Sequence, residues 1–282
     1  MRLPLRQLGW TLRAMAARRR TWLGFAAFLF LDLVVLGMMQ SESLREAARH
    51  FYLKDRRFAT PENFSGLTVA HFILTQSLGW LAPLFLALVA GDAVAREVED
   101  GTMRMALARP VSRVRVLLLR WIACGVHTFA LAFFLCAVAL GCGLIDQGFG
   151  NLLVTLPEQR TPVAYAFSQG MARYALGMPL LGLSLLTITS LAFLFSCAPM
   201  RPLSAAIATV SFIFSDRFLW ETPFFKVFRP WLLSTCVDRW LNVYAPEIPW
   251  RVMVENSARL LAIDFVLVAA ACLLFARRDL KP

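Results

Sequence analysis

Ionisable side chains are scarce in this 282-residue chain: charged residues make up 17% of it, and histidines number three. His50, His71 and His127 are too scattered to form a metal site or a catalytic set by spacing, and no H-E-x-x-H or G-x-S-x-G element occurs. Membrane protease and lipase chemistry therefore has no support, and no metal is expected. Cys124, Cys136, Cys142, Cys197, Cys236 and Cys272 form no C-x-x-C pair. Five of them fall in or beside apolar runs and read as small packing residues, leaving Cys236 without an obvious partner. The chain has no G-x-x-x-x-G-K-[ST], so nothing in it cradles nucleotide phosphates, and it is not itself expected to be an enzyme. Acids are few beside bases, 18 against 29, yet no soluble basic domain carries the resulting charge of +11, which argues against nucleic-acid binding.

Apolar residues are what the chain has in abundance, at 59%, with a positive mean hydropathy. A soluble domain of this length cannot hide that much apolar surface, so lipid must cover it. A bilayer core about 30 Å thick calls for roughly 20 apolar residues per helical span. The segments that qualify are 22–40, 72–93, 117–145, 171–198, 203–220 and 259–276, the fifth being the weakest because Asp216 and Arg217 fall near its end. The expected fold is an all-α membrane protein with six transmembrane helices, forming a single transmembrane domain over 1–282. Arginines gather at 2–20, 96–120, 201 and 277–278, whereas bases in the alternate loops are offset by acids. The positive-inside rule then places both termini and the 96–120 cluster in the cytoplasm, in a cytoplasmic (inner) membrane. In residues 1–20, Leu5, Leu8, Leu12 and Met15 recur at helical spacing with Trp10 beside them, predicting an amphipathic helix lying flat at the interface and touching membrane lipid. Trp22 to Gln40 is long for a signal h-region and lacks a small-x-small cleavage site, so it reads as a retained first span.

Between the second and third runs lies GDAVAREVEDGTMRMALARPVSRVRVLLLR, Gly91 to Arg120, whose charges keep it in water. Glu97, Glu99 and Asp100 come first. Gly101 then serves as a left-handed helix stop, Thr102 caps a short helix that Pro110 ends, and Ser112 caps the next helix. The segment reads as a small cytoplasmic foot, most of it within 91–116. It resembles the permease subunits of type-2 ABC exporters at Asp92, Glu97, Gly101, Thr102, Pro110, Val111, Ser112, Arg113 and Arg120; Arg120 stands where that family usually has Lys. Ser196 to Ala206 resembles its short turn between the fourth and fifth spans, and LLFARRDL its last span running into a basic tail.

The resemblance implies ATP-driven transport, in the export direction, with the ATP and Mg bound by two cytoplasmic ABC ATPase subunits rather than by this chain. It also implies a second permease copy or a homologous permease. Glu97, Glu99, Asp100, Gly101, Thr102, Met103, Arg104, Leu107 and Pro110 are the expected coupling residues, with the acids meeting basic groups on the ATPase and Met103 and Leu107 entering an apolar cleft on it.

Asp32 and Asp264 fall inside predicted spans and Arg173 at the mouth of one, which makes them candidate intramembrane polar or transport residues. The aromatic and proline-rich stretch 221–258 is expected to form short outer interfacial or re-entrant helices. The 41–70 loop has room for a short helix around Glu42 to Leu53. Two other readings stand beside transport by ATP: a non-transporting membrane anchor or regulatory subunit of an ATPase complex, and a secondary transporter using Asp32 and Asp264 as ion sites.

Overall fold

The computed structural model describes residues 2–39, 65–103, 112–154 and 163–277. Its elements are α1 (Arg2–Ala16), α2 (Arg19–Met39), α3 (Gly66–Glu99), α4 (Arg113–Gln147), strands β1 (Leu152–Val154) and β2 (Val163–Tyr165), α5 (Phe167–Cys197), α6 (Pro202–Glu221), a 3₁₀ segment Pro223–Trp231, α7 (Leu233–Asp238), a second 3₁₀ segment Arg239–Tyr244, and α8 (Trp250–Ala276). Among the described residues, α2, α4, α5, α6 and α8 are long and apolar enough to cross a membrane. The chain is thus a predominantly helical, membrane-embedded protein. The predicted second span, 72–93, falls within the 34-residue α3.

Two departures from expectation concern the end of the bundle away from the foot. β1 and β2 pair antiparallel, with Leu153 opposite Ala164, where an all-α chain was expected. The hairpin stitches onto the start of α3: the Ser65 and Thr68 hydroxyls both donate to the Asn151 carbonyl, at 2.6 and 3.1 Å, and Thr68 Oγ1 accepts from the Leu153 N–H at 2.9 Å. The second departure is that α8 begins at Trp250, nine residues before the predicted 259, so the irregular outer stretch is shorter than 221–258.

Helix α5 is the axis of the packing. Its buried side chains extend around most of its circumference, from Gly170 and Tyr174 to Phe193 and Cys197, and it packs on α3, α4, α6 and α8. The outer helices keep large apolar side chains exposed, among them Phe30, Leu203 and Phe265, as lipid contact requires. Close helix approach is set by small residues. A Cβ on Gly143 would lie 2.2 Å from the Gly66 carbonyl oxygen, so the α3–α4 crossing is backbone against backbone there. At the foot end, Met15, Met103 and Phe275 share one apolar cluster with Val94 and Leu117. The two described chain ends therefore lie at the same end of the bundle.

Candidate functional site

The foot begins where α3 passes the base of the bundle. There the Ser196 hydroxyl of α5 accepts from the Val94 and Ala95 N–H groups at 3.0 and 2.9 Å and donates to the Gly91 carbonyl at 2.7 Å. Gly91 C=O and Ala95 N–H are the pair that one rung of a regular α-helix joins directly, so a side chain stands in the ladder of α3. At the same level α6 packs so close that a Cβ on Gly91 would sit 3.2 Å from the Ala206 nitrogen.

Beyond this rung the acids meet arginines from three helices and a linker. Asp92, whose side chain is 8% exposed, pairs with Arg20 at 3.0 Å and with Arg96 at 3.6 Å. Glu97 pairs with Arg18, in the α1–α2 linker, at 3.2 Å and with Arg120 of α4; Arg120 also donates to the Ala93 carbonyl at 3.0 Å. The ionic set therefore fastens α1 and α2 and the start of α4 to the end of α3. Leu8, Leu12 and Met15 turn into the foot-end core while Trp10 is 70% exposed, the amphipathic disposition expected of α1.

Gly101 adopts φ of +72°, the left-handed stop read from the sequence, and the Ser112 hydroxyl accepts from the Arg115 N–H at 3.4 Å as the cap of α4. Thr102 is exposed, with its hydroxyl donating to the Glu97 carbonyl at 3.3 Å. Glu99 is exposed, and Asp100 is exposed with Arg96 3.6 Å away. Two expectations are corrected. Met103 is fully buried in the chain's own core instead of projecting outward, because the chain folds back after Gly101 against Val94 and Leu117. Glu97 is held inside by Arg18 and Arg120 instead of facing a partner. Arg104, Leu107 and Pro110 lie outside the described residues, as do the proposed 42–53 helix and the tail from 278.

Asp264 and Arg173 lie far apart along the bundle. Asp264, 2% exposed on α8, is buried beside the Thr187 and Ser190 hydroxyls of α5. Arg173 is on the same helix fourteen residues before Thr187, about 21 Å along the axis. Asp32, also 2% exposed, belongs to α2, which packs on α3 and α4.

Arg173 has a structural task. Its guanidinium donates to the carbonyls of Val243 (2.7 Å), Ala245 and Pro246 (3.0 Å), and lies 4.1 Å from the Tyr165 ring centroid. Tyr165 in turn donates to the Tyr244 carbonyl at 2.7 Å, so Arg173 caps the second 3₁₀ segment and ties it to the hairpin. Arg173→Ala should leave these carbonyls unsatisfied and loosen 239–246 by about 2 kcal/mol, read as faster amide exchange confined to that segment. Unchanged protection there would refute the capping role.

The residues that sequence reasoning missed sit at the outer end of α6. Asp216 accepts from the N–H groups of Leu233 (3.0 Å) and Ser234 (2.6 Å) and from the Ser234 hydroxyl (2.5 Å), holding α7 in place. Arg217 pairs with Glu221 at 3.2 Å and with Asp238. Burial pushes the Asp238 carboxyl above its ordinary range while Arg217 draws it back. The signal available was Asp216 and Arg217 near the end of an apolar run, which weakens a span and marks a site equally well.

The family described as "Protein of unknown function (DUF2705)" matches residues 25–222, well over half of the chain and every element from α2 to α6. No curated protein matches.

Proposed function

The chain belongs to the DUF2705 family, and we propose that it is the membrane-spanning permease subunit of an ATP-driven transporter, working with separate cytoplasmic ATPase subunits. The observation that carries this reading is the foot. A membrane helix runs on past the bundle into an acid-rich end, turns at a left-handed glycine, and is locked by arginines to the interfacial helix and the next membrane helix. A force applied to Glu99, Asp100 and Thr102, the exposed residues at its tip, passes rigidly into α3 and α4, whose far ends line the bundle. The rung at Ser196, like Pro83 further along the same helix, is a place where α3 bends at low cost, since a hydroxyl exchanges partners with less strain than a direct backbone bond.

With α3 counted, the chain crosses six times, which agrees with both described ends lying at the foot end. The arginine distribution assigns that end to the cytoplasm. Membrane-impermeant thiol labelling of single cysteines checks this: a cysteine at Arg19 or Asp100 should react only after the membrane is opened, and one at Trp231, which is 88% exposed, in intact cells. Labelling of Asp100→Cys in intact cells would overturn the orientation and the docking argument with it.

Coupling requires that the ATPase bind two permease states with different free energy. The reading is tested by reconstituting the chain with the ATPase: ATP hydrolysis that rises with the permease and falls when Asp100 and Glu99 are both replaced by Lys supports it. Hydrolysis indifferent to both favours the anchor reading.

A further inference from the structure

Between α3, α5 and α6, at the end away from the foot, lies a cavity of about 580 Å³, within the range of small-molecule sites. Its two ends differ in chemistry. The inner wall is apolar, formed by Leu185 and Ile188 of α5 with Ile213 and Phe214 of α6; the outer rim carries Asp216, Arg217, Glu221 and Asp238.

The rim charges do not cancel. Asp216 is consumed in holding the Leu233 and Ser234 N–H groups. Among the described residues the one guanidinium lining the cavity, Arg217, is shared by two carboxylates, Glu221 and Asp238. Arg229 stacks on the Trp220 ring at 5.2 Å and, like Lys226 and Arg239, does not line the cavity. One carboxylate of negative charge is left over on the lining, and Glu221, 64% exposed, is the one best placed to receive a partner. The Ser184 hydroxyl is buried, lines the cavity and has no hydrogen-bond partner among the described residues, so a polar atom waits for a bound group.

We infer that this cavity binds an amphiphilic organic cation, its apolar body against Ile188 and Ile213 and its positive group at Glu221 and Asp238. The site deepens the transport reading by naming a class of cargo, and rests on that reading only for the word cargo.

The experiment measures equilibrium binding to the purified chain in lipid nanodiscs, with empty nanodiscs subtracted, using tetraphenylphosphonium and tetraphenylborate, ions of one shape and opposite charge. Tetraphenylphosphonium should bind saturably and about tenfold more tightly than tetraphenylborate, a gap worth about 1.4 kcal/mol. Glu221→Gln, at an exposed rim position, should weaken the cation several-fold without weakening the anion. Ile213→Trp, which fills the wall, should abolish saturable binding of both while the gel-filtration profile stays that of the parent. Equal affinity for the two ions, no saturable binding of the cation, or binding unchanged in both variants overturns the assignment. Normal ATPase coupling without cation binding would remove the site and leave the transport reading; cation binding in a chain that couples to no ATPase would do the reverse.

Discussion

Replacing Glu97 by Lys is expected to release α1 from the foot and abolish ATPase coupling while the membrane helices still insert. The Glu97 carboxylate is 18% exposed and stands between Arg18 and Arg120, the latter only 11% exposed. A lysine there would gather three cations where one anion now stands between two. Removing one partner of a buried ion pair costs several kcal/mol; Arg18, at 29% exposure, is partly solvated, so about 3 kcal/mol is the expected loss. That is enough to populate a detached α1. Limited trypsin digestion in membranes reads it directly, since Arg18 lies in the α1–α2 linker and Arg19 and Arg20 open α2: cleavage there should accelerate by one to two orders of magnitude, on the order of that free-energy loss. Glu97→Gln, which keeps the shape but not the charge, should fall between. Parental cleavage rates in Glu97→Lys would show that the cluster holds nothing.

The second large effect concerns the opposite end. Gly143→Val should prevent the protein from accumulating in the membrane, because a Cβ at 143 would overlap the Gly66 carbonyl at 2.2 Å and meet the Gly66 carbonyl carbon at 3.0 Å, both backbone atoms that no rotamer change can move. Separating α3 from α4 would also pull Gly66 from the Gly148 carbonyl, to which its N–H donates at 3.2 Å. Gly141 is the matched control: a Cβ there meets nothing within 4 Å. Gly141→Val should therefore accumulate and melt close to the parent, with Gly143→Val absent or strongly reduced on the same immunoblot. Equal levels of the two would mean that the tight crossing does not form.

These effects divide along the line between what the chain reveals locally and what only its folding brings together. Helix ends were legible because they depend on neighbours in sequence. The long apolar runs located the helices, with α3 (Gly66–Glu99) extending beyond both ends of the predicted 72–93 and α8 starting early because Arg251, Glu255 and Arg259 hid its first turns. The Gly101 stop and the Ser112 cap are properties of single residues and were readable as such.

The partners of Glu97 were not, because Arg18 lies 79 positions away and nothing in the local pattern separates an acid paired within the chain from one offered to another protein. Ser196 looked like part of a turn, and only the close approach of α5 to Gly91 turns its hydroxyl into a rung of α3. The β-hairpin escaped notice because strands of three residues carry too little alternation to register. Arg173 reads from its position near a span mouth as a candidate polar or transport residue, and its partners, carbonyls some seventy residues downstream, are invisible in the local sequence.

The central claim is that the tip of the foot is the surface an ATPase grips. A photoreactive side chain placed at Asp100, in cells making the full chain at its natural level, tests that contact directly, with the same substitution at Phe224, 85% exposed near the opposite end of the bundle, as the comparison. The account predicts that illumination joins the Asp100 variant, and not the Phe224 variant, to a protein whose crosslinked peptide belongs to a chain carrying a G-x-x-x-x-G-K-[ST] loop. An Asp100 variant that incorporates normally yet crosslinks to no such protein, or does so no more than the Phe224 variant, would contradict it.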